Sequence, residues 1–126
     1  MGFSRTDFAV RTSDGRNMVL LEEITYTARD GRVITIPAGS ASDGASTPPA
    51  LWPTLPPFGR YWPAAFLHDY LYRCSDLPKA LCDDLLLEAM QSLGVEALEA
   101  RVIYEGVHYG GASSFAEDRA AQAKSA

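Results

Sequence analysis

No run of apolar residues in this chain approaches the roughly 20 that a membrane-spanning helix needs. The opening Met1-Gly2-Phe3-Ser4-Arg5-Thr6-Asp7 lacks the apolar core of a signal peptide, so the expectation is a protein that stays in the cytoplasm when made. Basic residues are few and dispersed: 11 Lys and Arg stand against 16 Asp and Glu, for a net charge of −5. That excludes a general nucleic-acid role, because phosphate contacts need clustered Lys and Arg. It also gives no electrostatic attraction to an anionic membrane. Cysteine is scarce, with only Cys74 and Cys82. Two thiols are the default in a reducing compartment. They flank a short turn and can bridge only if the geometry permits. By themselves they fall short of the four ligands a structural zinc takes. No G-x-S-x-G elbow surrounds Ser46, and no glycine-rich phosphate loop is present.

What the chain does contain is enough apolar material, 47% of 126 residues, for one modest core. The first forty residues read as short strands rich in β-branched and aromatic side chains: Phe8–Val10, Met18–Leu21, Ile24–Thr27 and Val33–Ile36. Ser13–Asn17 and Arg29-Asp30-Gly31-Arg32 carry turn chemistry, which predicts an antiparallel meander. From Ser40 to Trp62 the chain holds Pro48, Pro49, Pro53, Pro56 and Pro57, so it is a loop, and a long loop in a small domain is often functional. Three helices are expected next: Tyr61–Arg73, central and apolar on most sides; a second capped by Ser75 or Asp76 and stopping at Gly94; and a third from about Glu96 to Tyr109. The fold class expected is α+β, a small antiparallel sheet packed on about three helices with the proline-rich loop across the seam. Residues 1–111 form the domain, and 112–126 form a polar tail that is either a loose helix or disordered.

The residues able to do chemistry concentrate on two of these helices. His68 and Tyr72, four apart, share a face, with Asp69 one step round. Projecting the second helix at about 100° per residue sets Asp83 among Ala80, Leu86, Leu87 and Met90, while Asp84 points with Glu88 and Gln91 to the polar side. An aspartate in a core-facing stripe needs a partner. The nearest candidate is His68 on the preceding helix. Such a pair is either a general base set by a buried carboxylate or a purely structural contact. The loop with Asp43, Gly44, Ser46 and Thr47 reads either as a turn closed by its own carboxylate or as a substrate-oxygen or metal loop. In the second case Asp43 and Asp69 supply hard oxygen ligands to calcium or magnesium. Zinc held by His68 with Asp43 or Asp69 is the alternative ion. His108, one turn after Tyr104, is expected to be surface or core packing.

The order Ile36-Pro37-Ala38-Gly39, Ser42–Pro48, Trp52, Ala64–Tyr72 and Asp83, with the Tyr104 region and Gly110, resembles a phage and prophage family known as domain of unknown function 1353. The resemblance covers roughly residues 8–111. It implies a small protein encoded by tailed phages, made in the host cytoplasm and a candidate for the virion, with phage tail or other virion proteins as partners and no settled activity. Separately, His68-Asp69-x-x-Tyr72 followed by Asp83 is similar to the active-site helices of secretory phospholipases. That similarity implies His68 as general base, Asp83 as its orienting group, and Asp69 with the Asp43 loop as a calcium site. Cys74 and Cys82 do not stand where that family places its disulfides, and the β-rich N-terminal half has no counterpart there. Two functions are therefore expected to compete. One is a non-enzymatic accessory or virion protein. The other is a metal-dependent hydrolase of lipid or cell wall using His68, Asp69 and Asp83.

Overall fold

The structure is a computed structural model, and it describes residues 2–5, 9–12, 18–42, 61–110 and 112–125. Phe8, the Ser13–Asn17 turn and the loop carrying Asp43, Gly44 and Ser46 lie outside the described residues. Among the described residues six strands lead into four helices: β1 Gly2–Phe3, β2 Val10–Thr12, β3 Met18–Leu20, β4 Ile24–Thr27, β5 Val33–Ile36 and β6 Ala41–Ser42, then α1 Trp62–Cys74, α2 Lys79–Ser92, α3 Ala97–Gly110 and α4 Ala112–Ser125. The class is α+β, as the segregation of strand and helix signals along the chain predicts.

The expected antiparallel pairing is present, but among the described residues the middle arm (β3, β4) and the third arm (β5, β6) each divide between two three-stranded sheets rather than lying in one. Their orders are β1-β4-β5 and β2-β3-β6. The middle arm runs through β3 and β4 and is central to both sheets, with Val10 opposite Leu20 in one and Phe3 opposite Tyr26 in the other. The third arm bends at Pro37, which has no amide proton to continue the ladder. Beyond it, Gly39 donates to the Leu20 carbonyl at 2.7 Å and Leu20 to the Ser40 carbonyl at 2.8 Å, which carries the chain into the second sheet. The expected hairpin at Asp30-Gly31 is there. Arg32 N–H donates to Asp30 Oδ1 at 3.0 Å, and Gly31 takes a φ of 90° that a side chain would resist. Along β4 and β5 the period of two is clean: Ile24, Tyr26, Ile34 and Ile36 are buried, whereas Val33 is exposed.

Helix α1 is the centre of the molecule. Ala64, Ala65, Phe66, Leu67, Leu71 and Tyr72 are all buried, and the helix touches β5, β6, α2 and α4. Pro63 sits in its first turn, where a missing amide proton costs nothing. Neither Ser75 nor Asp76 caps α2. Ser75 serves the preceding helix instead, its hydroxyl donating to Leu71 O at 2.6 Å, and Pro78 occupies the N-cap of α2 without a side-chain bond. The competing demand is physical: the last carbonyls of α1 are orphaned and closer in sequence. At the other end of α2, Gly94 adopts a φ of 74°, and the amides of Gly94 and Val95 donate to Gln91 O and Met90 O, both at 3.1 Å. That is a Schellman close, with buried Val95 and Met90 on either side of it.

Of the two forms open to the tail, the structure shows the helix. α4 lies on α1, with the Phe115 ring edge-on to Tyr72 at 5.0 Å. Arg119 donates to Leu71 O at 3.2 Å and Tyr72 O at 3.0 Å and stacks over Phe115 at 4.4 Å. These bonds satisfy the last turn of α1 from outside, a role the polar composition of the tail conceals.

Glu88 also departs from the expected polar side. It is half-buried against the sheet, where its Oε1 accepts the Tyr26 hydroxyl at 2.6 Å and the Arg29 amide at 2.9 Å. The helical projection is correct for direction but cannot show that a sheet lies there.

Candidate functional site

Asp83 has no solvent exposure at all. A carboxylate so placed is tolerable only if its oxygens are fully hydrogen-bonded. Four side chains from three helices do this. From α1, His68 Nε2 lies 2.8 Å from Oδ1 and the Tyr72 hydroxyl donates to the same oxygen at 2.6 Å. From α2, Lys79 Nζ donates to Oδ2 at 2.7 Å, and from α3, His108 Nδ1 lies 3.2 Å from that oxygen. The i, i+4 spacing of His68 and Tyr72 on α1 brings their rings to 4.1 Å, so both reach one oxygen. Lys79 and Asp83 are likewise one turn apart on α2.

Burial would raise the pKa of Asp83, but the hydrogen bonds from His68, Lys79 and Tyr72 outweigh it and hold the carboxyl well below the usual carboxylate range. The group is therefore ionised and accepts only. His68 must present Nε2–H to it, and a neutral His68 then carries its lone pair on Nδ1. Among the described residues Nδ1 makes no hydrogen bond, and the His68 side chain retains 8% exposure. Burial and the bond to Asp83 push the Tyr72 hydroxyl far above the ordinary tyrosine range, so Tyr72 is a fixed donor and not an acid for catalysis. Burial also raises the Cys82 thiol, despite Arg119 beside it, which leaves Cys82 a packing residue. Cys74 and Cys82 are both free thiols.

The expected site residues thus divide. His68, Tyr72 and Asp83 meet. Asp69 lies on the adjacent face of α1, half-buried, where Oδ2 accepts the Ser42 hydroxyl at 2.6 Å. Arg73, one turn on, donates to Ala41 O at 2.7 Å, so β6 is pinned along α1 at the point where the chain enters the Asp43 loop. Among the described residues no group of three His, Cys, Asp or Glu side chains converges as a metal cluster. His108 is not mere packing. It closes the network from α3 while stacking on Tyr104 at 5.2 Å. Lys79 and His108 were missed by sequence reasoning. Lys79 had a signal, its i, i+4 spacing to Asp83; His108 had none, since only the packing of α3 on α2 brings it near. A separate cleft of about 330 Å³, lined by Leu87, Gln91, Val95, Ala97, Ala100 and Arg101, contains no acid, base or nucleophile.

The central helices of this α+β chain thus share one buried, ionised aspartate with two histidines. Residues 18–107 match the family model described as Protein of unknown function (DUF1353), and the chain belongs to that family. No curated protein and no solved structure shows a significant match. The matched stretch contains His68, Tyr72, Lys79 and Asp83 but ends at Val107, before His108 and α4.

Proposed function

We propose that this chain is a small hydrolase in which His68 is the general base for a water. The observation that carries the reading is the pairing of His68 Nε2 with a buried, ionised Asp83, with Nδ1 making no hydrogen bond among the described residues. In the reaction a water gives its proton to Nδ1 as its oxygen attacks an ester or amide carbonyl. The tetrahedral intermediate then expels the leaving group, which takes the same proton from the imidazolium. Asp83 stays charged throughout and stabilises that imidazolium. Tyr72 keeps Asp83 oriented and does not transfer a proton.

Lipid and cell-wall polymer are the two substrate classes this reading takes from the resemblances of the sequence. A divalent cation, calcium first, is the cofactor it adds. Asp43 and Asp69 would hold it, and it would polarise the scissile carbonyl. The half-buried Asp69 carboxylate beside the Ser42 hydroxyl is a hard-oxygen pair of suitable chemistry. The test measures hydrolysis of phospholipid vesicles and of purified peptidoglycan, with calcium and with chelator, for wild type and His68→Ala. Hydrolysis of one substrate is expected, falling by roughly 100-fold or more in the variant. Equal rates for the two proteins on both substrates would remove the proposal, and indifference to chelator would remove the cation alone.

A second reading has its own observation. Asp83 is saturated by donors from α1, α2 and α3, which is also what a purely structural tie looks like. On that reading the chain is a phage accessory or virion protein with tail or other virion proteins as partners. Mass spectrometry of purified particles from an induced prophage distinguishes it: stoichiometric presence in particles, with no hydrolysis, is the expected result.

A further inference from the structure

Helix α3 has an outward face that does not read like a solvated one. Of the five large apolar side chains exposed among the described residues, three, Leu98, Val102 and Tyr109, stand on this helix. At about 100° per residue they fall within roughly 40° of one another. Ala100, Ile103 and Val107 point the opposite way, into the core. Single exposed apolar residues are ordinary on a protein surface, but a stripe of them along a helix marks a surface that a partner covers.

Gly106 lies beside the stripe, exposed and in mid-helix. Glycine at such a position weakens a helix relative to almost any other residue. Among the described residues nothing comes within 4 Å of where its Cβ would stand, so packing inside the chain does not call for a glycine. On the other flank of the stripe are Arg101 and Glu105, both exposed. Arg101 Nε donates to Glu105 Oε1 at 2.9 Å, and that bond occupies one nitrogen of the guanidinium and one oxygen of the carboxylate.

These residues are complementary to themselves. When a helix packs antiparallel on a copy of itself, each flank of the seam meets the same flank of the partner, and residues equally far from the two-fold axis stand opposite each other. An axis passing between Ile103 and Tyr104 brings three pairs level at once. Leu98 stands opposite the partner's Tyr109, Val102 opposite the partner's Gly106, and Arg101 opposite the partner's Glu105, each pair formed twice. The valine then fills the space over a glycine, and opposite charges face each other along the seam. A parallel pairing would instead set each charge against its own copy.

We infer that α3 is a homodimer interface: two copies of this chain pair antiparallel along the Leu98–Tyr109 face, with Val102 of each seated on Gly106 of the other and Arg101 bridged to Glu105 across the seam. The contact is one face of one helix, small beside the interfaces of permanent dimers, so the dimer is weak and reversible, with a Kd of roughly 100 µM. The inference does not depend on the hydrolase reading.

The experiment is sedimentation equilibrium of the full chain from about 10 µM to about 1 mM, a span that brackets such a Kd. Wild type is expected to pass from monomer to dimer across it. Arg101→Glu and Glu105→Arg each set like charges across the seam and are each expected to weaken the dimer by roughly tenfold or more. An equimolar mixture of the two is expected to dimerise again, because one then carries two acids at the seam and the other two bases. Gly106→Gln, a better helix former, is expected to raise the melting temperature in dilute solution and yet weaken the dimer by roughly tenfold or more. All three positions are exposed, and circular dichroism checks that each variant folds. A wild type that stays monomeric throughout overturns the inference, whether another protein or the chain's own proline-rich segment covers the face. So does a dimer that survives Arg101→Glu and Gly106→Gln unchanged, since it uses another surface. A mixture of folded charge variants that stays monomeric overturns the antiparallel pairing.

Discussion

Two carboxylates on α2 make the same bond and do different work. Asp83 accepts the Tyr72 hydroxyl at 2.6 Å and Glu88 accepts the Tyr26 hydroxyl at 2.6 Å. At Glu88 the only other described donor is a backbone amide, that of Arg29. At Asp83 the added donors are two imidazoles and an ammonium. Glu88 therefore fastens the helix to the sheet through groups that do not titrate near neutrality. Asp83 joins groups that can gain, lose or orient a proton. A tyrosine–carboxylate pair in a core says little about function; the other donors on the carboxylate decide it.

That contrast is sharpest in stability. Asp83→Asn should cost about 3 kcal/mol or more, since it leaves Lys79 and two histidines without their shared anion, and urea unfolding at pH 7 measures it. His68→Ala removes one donor and should cost about 2–4 kcal/mol, with loss of any hydrolysis. Glu88→Gln keeps an acceptor and should cost about 1 kcal/mol while leaving the NMR signals of His68 and His108 in place. If Glu88→Gln proves as damaging as Asp83→Asn, the two carboxylates are equivalent ties and the contrast fails. The smallest effect is expected at the exposed Arg101–Glu105 pair, where Arg101→Ala should stay under about 0.5 kcal/mol.

Acid acts on the Asp83 site. The folded pKa of Asp83 is depressed, so its contribution is fully present above the unfolded carboxylate value near 4 and is lost as pH falls below it. Unfolding free energies at pH 6 and pH 3 should converge between wild type and Asp83→Asn. In base the two sites behave alike. Burial and their carboxylate partners raise both Tyr26 and Tyr72, so each contribution persists below about pH 10 and is lost as pH rises further.

Much of this was readable before any coordinates. Period-two alternation in Ile24–Thr27 and Val33–Ile36, the Asp30-Gly31 turn and the Gly94 stop are local, and local rules hold wherever backbone geometry alone is at issue. Asp83 announced itself by standing in an apolar stripe, and His68 by being a plausible reach away. What failed was nonlocal. Ser75 capped the wrong helix because two helix ends competed for it. Glu88 was given to solvent because a projection of one helix cannot see the sheet beside it. Lys79 was overlooked although its spacing to Asp83 was legible. His108 could not be reached from the sequence, because 25 residues separate it from the aspartate it binds.

By itself, then, the sequence determined that strands precede helices, the charge that argues against a nucleic-acid role, and the need of one aspartate for partners, because each follows from periodicity, composition or the cost of burying an ion. Only the tertiary structure decided which partners those are. The packing of α3 on α2 and of α1 on both brings a lysine, a tyrosine and two histidines from three helices to one carboxylate. Hydrogen bonds form where backbones place their donors, and the distances between helices are not written in any one of them.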